Sequence, residues 1–138
     1  IGCSQKEENV QVEKHYTLVN NIYSENNKDY IDADYVQYFI GDKAVAEAKK
    51  RKEADSFIVN GQTVYSVPGD FYIVNENNKI RKLEVINDVK LDLVSSYDSK
   101  NDAHSITINY LRKDYKYKLF LLTIQNGKVI EIKEIFTP

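Results

Sequence analysis

The sequence predicts a mainly-β domain of the α+β class: a small barrel or strongly coiled antiparallel sheet of about eight strands, with one peripheral helix. Three observations carry this expectation. Short apolar segments alternate with polar residues through most of the chain, the period of half-buried strands. Tight turn signals separate those segments, most clearly Asn60-Gly61 and Asn126-Gly127. Only one stretch carries the alanines and the charge layout of a helix.

In chain order, Val10, Val12, Tyr16, Leu18 and Ile22 form one face of a first strand, with His15, Thr17 and Val19 on the other. The polar cluster Ser24-Glu25-Asn26-Asn27 turns the chain. A second strand over 29–40 sets Ile31, Ala33, Tyr35, Gln37 and Phe39 together, and puts Asp32 and Asp34 on the opposite face. Gly41-Asp42 opens the helix, with Asp42 as N-cap and 43–54 as its body. Ala44, Val45 and Ala48 make a narrow apolar stripe, so this helix is expected to pack weakly and face mostly water. The run Lys49-Lys50-Arg51-Lys52 sits near its C-terminal end, where positive charge complements the helix dipole. Segments 57–59 and 63–65 form a hairpin about Asn60-Gly61, and Pro68-Gly69 breaks the chain. Strands 71–74 and 80–85 flank the turn Glu76-Asn77-Asn78-Lys79, and 89–94 reads as a separate strand. A polar loop covers 97–102, strands cover 105–111 and 115–124, and a last hairpin turns into 129–136.

The 138 residues suit a single domain, with 10–138 as one mainly-β unit and 1–9 as a polar tether. Apolar residues make up 42% of the chain, too many for a disordered one. With 19 basic and 21 acidic side chains there is no bias toward polyanions, and no nucleic-acid partner is expected. The longest strongly apolar run, Leu119 to Ile124, is far shorter than the roughly 20 residues of a membrane-spanning helix. The single cysteine, Cys3, excludes an intramolecular disulfide and a multi-cysteine metal cage. No methionine is present, so an upstream segment is expected to have been removed.

The opening Ile1-Gly2-Cys3, followed by the polar Ser4 to Asn9, resembles the lipobox of bacterial lipoproteins. In that family a signal peptide is cut before the cysteine, whose sulfur carries a diacylglycerol and whose amine is often acylated. The resemblance implies lipid attachment at Cys3 and a place in the cell envelope. That place is the outer side of the cytoplasmic membrane, or the outer membrane in a Gram-negative cell. Gly2 fits a narrow peptidase subsite, Cys3 offers the thiolate, and two or three acyl chains anchor stably where one is marginal.

No catalytic signature stands out. Asp29, Asp32 and Asp34 are the tightest acidic group, and Asp32 with Asp34 could begin a hard-cation site. A strand lacks the turn geometry of a calcium loop, however, and outward solvated carboxylates explain the same pattern. His15 and His104 stand alone, no G-x-S-x-G elbow accompanies Ser99 or Ser105, and the five glycines are too scattered for a phosphate loop. No cofactor is expected. Basic patches occur at 49–52 and 112–118, the second interleaved with Tyr115 and Tyr117. Either could touch anionic lipid headgroups beneath an anchor, while lysines on an edge strand also guard against aggregation. Tyrosine, with 11 copies, is the compositional outlier, and its flat ring with a polar tip suits grip on sugars, peptides or proteins.

Two stretches together are similar to a group of small secreted or lipid-anchored proteins of Gram-positive bacteria. They are Asp34-Tyr35-Val36-Gln37-Tyr38-Phe39-Ile40-Gly41-Asp42-Lys43-Ala44 and Phe71-Tyr72-Ile73-Val74-Asn75, joined by the closing hairpin to Phe136-Thr137-Pro138. The resemblance implies export and a shared fold, and brings no catalytic residues. Ile40, and the longer segment 55–69, depart from that pattern. Arg81 is expected either to pair with an acid such as Asp34 or to face a ligand. The expected role is non-catalytic binding of a protein, peptide or wall component through a Tyr-rich surface. Tyr35, Tyr72, Arg81, Tyr115 and Tyr117 are the candidate contacts. An envelope hydrolase, whose acids or histidines meet only in the fold, and a purely structural envelope protein are the alternatives.

Overall fold

The computed structural model describes residues 10–94 and 108–138. The expected tether, the loop 97–102, His104 and Ser105 fall outside the described residues. In chain order the strands and helices are β1 (Val12–Glu25), β2 (Lys28–Tyr35), β3 (Gln37–Ile40), α1 (Gly41–Lys50), β4 (Asp55–Val59), β5 (Gln62–Ser66), β6 (Phe71–Val74), β7 (Ile80–Asp92), α2 (Ile108–Lys113), β8 (Leu119–Gln125) and β9 (Lys128–Ile135). β1 is hydrogen-bonded on both sides, antiparallel to β2 and to β8. β2 pairs antiparallel with β7, β7 runs parallel to β9, and β9 returns antiparallel to β8. The order β1-β2-β7-β9-β8 closes into a five-stranded barrel, the strand order of an OB-type fold.

The barrel is filled by Thr17, Val19 and Ile22 of β1, Ile31 and Ala33 of β2, Val85 of β7, Phe120, Leu122 and Ile124 of β8, and Val129 and Ile132 of β9. Strict alternation groups Ile22 with Tyr16 and Leu18. A register shift between Val19 and Asn21 adds one residue to β1 and carries Ile22 to the side of Thr17 and Val19. Segment 80–92 is one continuous strand rather than two, and its register against β9 shifts between Val85 and Lys90.

One end of the barrel is closed by a helix where the sequence suggests a strand. Ile108 and Leu111, one helical turn apart on α2, enter the core. Arg112 Nη2 then donates to Ser24 Oγ (2.8 Å) and to Asp29 Oδ1 (2.9 Å), tying α2 to the β1–β2 turn. β8 starts only at Leu119, after Tyr117 has taken a left-handed backbone conformation with φ 61°.

Residues 37–74 are inserted between the second and third barrel strands. β3 and β6 pair antiparallel beyond the ends of β2 and β7, and α1 lies on them. Ala44, Ala48 and Val67 are buried there with Phe39, Val45, Ala54 and Tyr72 packed around them. The apolar stripe of α1 therefore holds a second core, contrary to the expectation of a weakly packed helix. Ile40 is the N-cap residue and Asp42 lies in the first turn, where its charge favours the helix dipole. The helix ends at Lys50 rather than near 54. Lys52 N–H donates to the Lys49 carbonyl and Glu53 N–H to the Ala48 carbonyl, a Schellman ending with Lys52 at φ 60°.

A side chain in that left-handed position is strained, and glycine relieves it. Lys52→Gly is expected to raise stability by about 0.5–1 kcal/mol in chemical denaturation. A loss of stability would show that the helix ending does not carry this strain.

Candidate functional site

The inward side of β1 runs His15, Thr17, Val19, and burial fades toward His15, where the strand leaves the core. Tyr35, at the end of β2, and Arg81, near the start of β7, occupy the same inward side by register, through Thr17↔Tyr35 and Ala33↔Arg81. The three side chains therefore meet at the barrel end opposite α2. The imidazole of His15 stacks on Tyr35 with centroids 4.0 Å apart and planes 5° apart. The guanidinium of Arg81 lies 4.2 Å from the centroid of the same ring. His15 Nε2 is 3.2 Å from Glu13 Oε2. Glu13, Lys14, His15, Tyr35 and Arg81 line an open cleft of about 620 Å³. A smaller depression of about 250 Å³ lies along Tyr35 and Val36 toward Val74 and Asn77.

The electrostatics of the cleft turn on Arg81. Among the described residues no carboxylate pairs with it, and its Nη1 is buried without a hydrogen-bond acceptor. The expected Arg81–Asp34 ion pair is absent because Asp34 lies on the outward side of β2. There Asp34 is buried and its Oδ2 accepts from Asn75 Nδ2 at 2.8 Å. Burial pushes the Tyr35 phenol above the usual tyrosine range, Arg81 pulls the other way, and the Glu13 carboxylate adds to the rise. A planar cation on an aromatic face, with no acid paired to it among the described residues, has the donor geometry that carboxylate or phosphate oxygens accept from.

The other candidates are dispersed. Tyr72 packs against α1 and donates to Glu53 Oε2 at 2.7 Å, a bond that raises its pKa and ties it to the second core. Tyr115 packs against the barrel core, and Tyr117 is fully exposed in the turn before β8. Asp32 accepts from the Tyr23 hydroxyl at 3.0 Å. Among the described residues no three His, Cys, Asp or Glu side chains converge as metal ligands, and Asp34 lies with Asn75 rather than with Asp32. The tyrosines sort into separate groups rather than one groove. Tyr23 stacks on Tyr30, Tyr16 and Tyr38 meet near Phe71, and Tyr35 stands with His15. His15 and Glu13 are the residues the sequence does not single out as site members. Their position opposite Tyr35 depends on strand pairing across the barrel.

Comparison with protein-family models, with curated protein sequences and with solved structures finds no match for this chain.

If the stack is an energetic unit, the effects of Tyr35→Leu and Arg81→Gln on stability are coupled. A double-mutant cycle is expected to show about 0.5–1 kcal/mol of interaction. Strict additivity would reduce the stack to a geometric coincidence. Asn75→Ala leaves the buried Asp34 carboxylate without its side-chain donor, and a loss of about 1–3 kcal/mol is expected at neutral pH.

Proposed function

We propose that this protein is a lipid-anchored binding module of the bacterial cell envelope, which holds an anionic envelope component in the cleft at the open end of its barrel. The observation that carries the reading is Arg81: a guanidinium laid on Tyr35 at a cleft wall, with no carboxylate opposite it among the described residues. Glu13, beside His15, leaves Lys14 and Arg81 as the cations of the cleft, a surplus of one positive charge. Carboxylate-bearing peptide stems and phosphodiester wall polymers both present oxygens that a guanidinium grips in pairs. The anchor rests on the lipobox-like Ile1-Gly2-Cys3. The cleft lies at the end of the barrel where β1 begins, so a ligand held there would sit at the end of the domain nearest in sequence to an anchor at Cys3.

Two measurements test the two halves. With an alkyne fatty acid fed to cells, the full-length precursor is expected to become labelled and the Cys3→Ser variant to stay unlabelled. Label on the variant would remove the anchor. Purified protein is expected to sediment with isolated wall sacculi, and Arg81→Gln to weaken that association about tenfold, the value of one charge-assisted contact. Stripping phosphodiester polymers from the sacculi separates the two ligand chemistries. Equal sedimentation of Arg81→Gln and wild type, with both wall preparations, would sink the binding assignment.

A further inference from the structure

The two basic patches are engaged to different degrees. In the second, Arg112 is taken up by Asp29 and Ser24 and Lys118 by Asp114 and Glu134, while Lys113 and Lys116 are exposed without a carboxylate partner among the described residues. In the first, only Arg51 is engaged, between Glu47 and Glu76. Lys43, Lys49, Lys50 and Lys52 are exposed and have no carboxylate partner among the described residues, and Lys49 Nζ lies 4.3 Å from the Tyr65 ring centroid. The acids around them are Asp42, Glu47, Glu53 and Asp55. Glu47 is held by Arg51, while Glu53 keeps its charge as it accepts from the Tyr72 hydroxyl, so four unpaired lysines stand beside three carboxylates that have no cationic partner among the described residues.

Beside these lysines stands the β4–β5 hairpin. It is exposed along both strands. Phe57 pairs with Val64 on one face, while Ile58 and Tyr65 point to the other. Phe57 is 50% and Ile58 75% exposed, and Val59, Val64 and Tyr65 are exposed as well. A two-stranded hairpin that buries so little of its apolar surface is marginal in water. A flat protein partner covers one face of such a ribbon, whereas the headgroup layer of a bilayer contacts it on every side. Lying in that layer, the hairpin sets its apolar side chains at the boundary of headgroups and acyl chains, where the adjoining lysines of α1 meet lipid phosphates.

The chain's own geometry orients the same surface. β3 leaves the barrel near the end where β1 begins, and α1, which lies on β3 and β6, carries the hairpin beside it. Cys3 lies seven residues before Val10, a span of at most about 25 Å when fully extended. We propose that the β4–β5 hairpin and the adjoining lysines of α1 form a seat for an anionic lipid surface, which holds the domain down on the bilayer to which Cys3 is attached. The orientation argument rests on the anchor proposed above, while the apolar and basic surface does not.

The test uses the full chain bearing Cys3→Ser, so that no acyl chain contributes. It is expected to float with vesicles of mixed phosphatidylglycerol and phosphatidylcholine at low salt, to stay behind with phosphatidylcholine alone, and to be released by high salt. Lys49→Glu with Lys50→Glu is expected to weaken flotation about tenfold or more. Phe57→Ser with Ile58→Ser should weaken it as much, with the thermal unfolding of the barrel unchanged. Because the chain has no tryptophan, Phe57→Trp supplies a reporter that keeps the surface apolar. Its emission is expected to shift to the blue on anionic vesicles. Failure of the Cys3→Ser chain to float, or an unshifted tryptophan, overturns the seat even if fatty-acid labelling succeeds. A self-associating wild type that becomes monomeric in the serine variant, without binding vesicles, overturns it in favour of a second copy. Flotation without labelling at Cys3 removes the anchor and leaves the seat standing.

Discussion

The extra residue in β1 is the constraint on which the rest of the molecule depends. β1 spans the barrel from its open mouth to its helix-capped end, and its two halves are out of phase as written in the sequence. Without the shift between Val19 and Asn21, either Thr17 and Val19 or Ile22 would face water. Exposing any one of the large residues would cost about 1.5–3 kcal/mol. With the shift, a single strand sends His15 to the mouth, fills the middle with Thr17, Val19 and Ile22, and delivers Ser24 to Arg112 and Asp29. Cleft and cap are thus set by one local irregularity, and β2 opposite it remains regular from Asp29 to Tyr35.

Much of the fold was legible in local chemistry. Asn60-Gly61 and Asn126-Gly127 both take the left-handed pair of conformations that their residue types favour, and the hairpins turn where those signals stand. A small barrel with a peripheral helix follows from such signals. What local chemistry cannot supply is pairing across the chain. The parallel contact of β7 with β9 and the closure of β1 onto β8 join segments that carry no mark of each other. The segment at 108–111 shows the limit of periodicity. Ile108 and Leu111 are spaced for one helical turn, but four residues rich in β-favouring types read equally as strand. The hairpin of β4 and β5 shows another: alternation identifies a strand and says nothing of whether anything covers it.

The same division runs through the site. Tyr35 and Arg81 could be singled out by type, one as an amphipathic ring in a strand and the other as a cation where a strand expects an apolar residue. Their conjunction required the register of β2 on β7. His15 looked solitary because its ring partner belongs to the neighbouring strand. Tyr72 and Tyr115 carry the same side chain as Tyr35 and serve packing, which only the position of α1 and the closure of the core decide.

The segment between β2 and β7 also carries a core of its own. Its chain leaves and re-enters through strands that pair with each other as β3 and β6, and its core of Ala44, Ala48 and Val67 shares no residue with that of the barrel. A unit spliced in at one ladder, with its own interior, can open and reclose while the barrel stays intact. The gap between the second and third barrel strands thus carries a unit of 38 residues, 37–74, that contributes no residue to the barrel core.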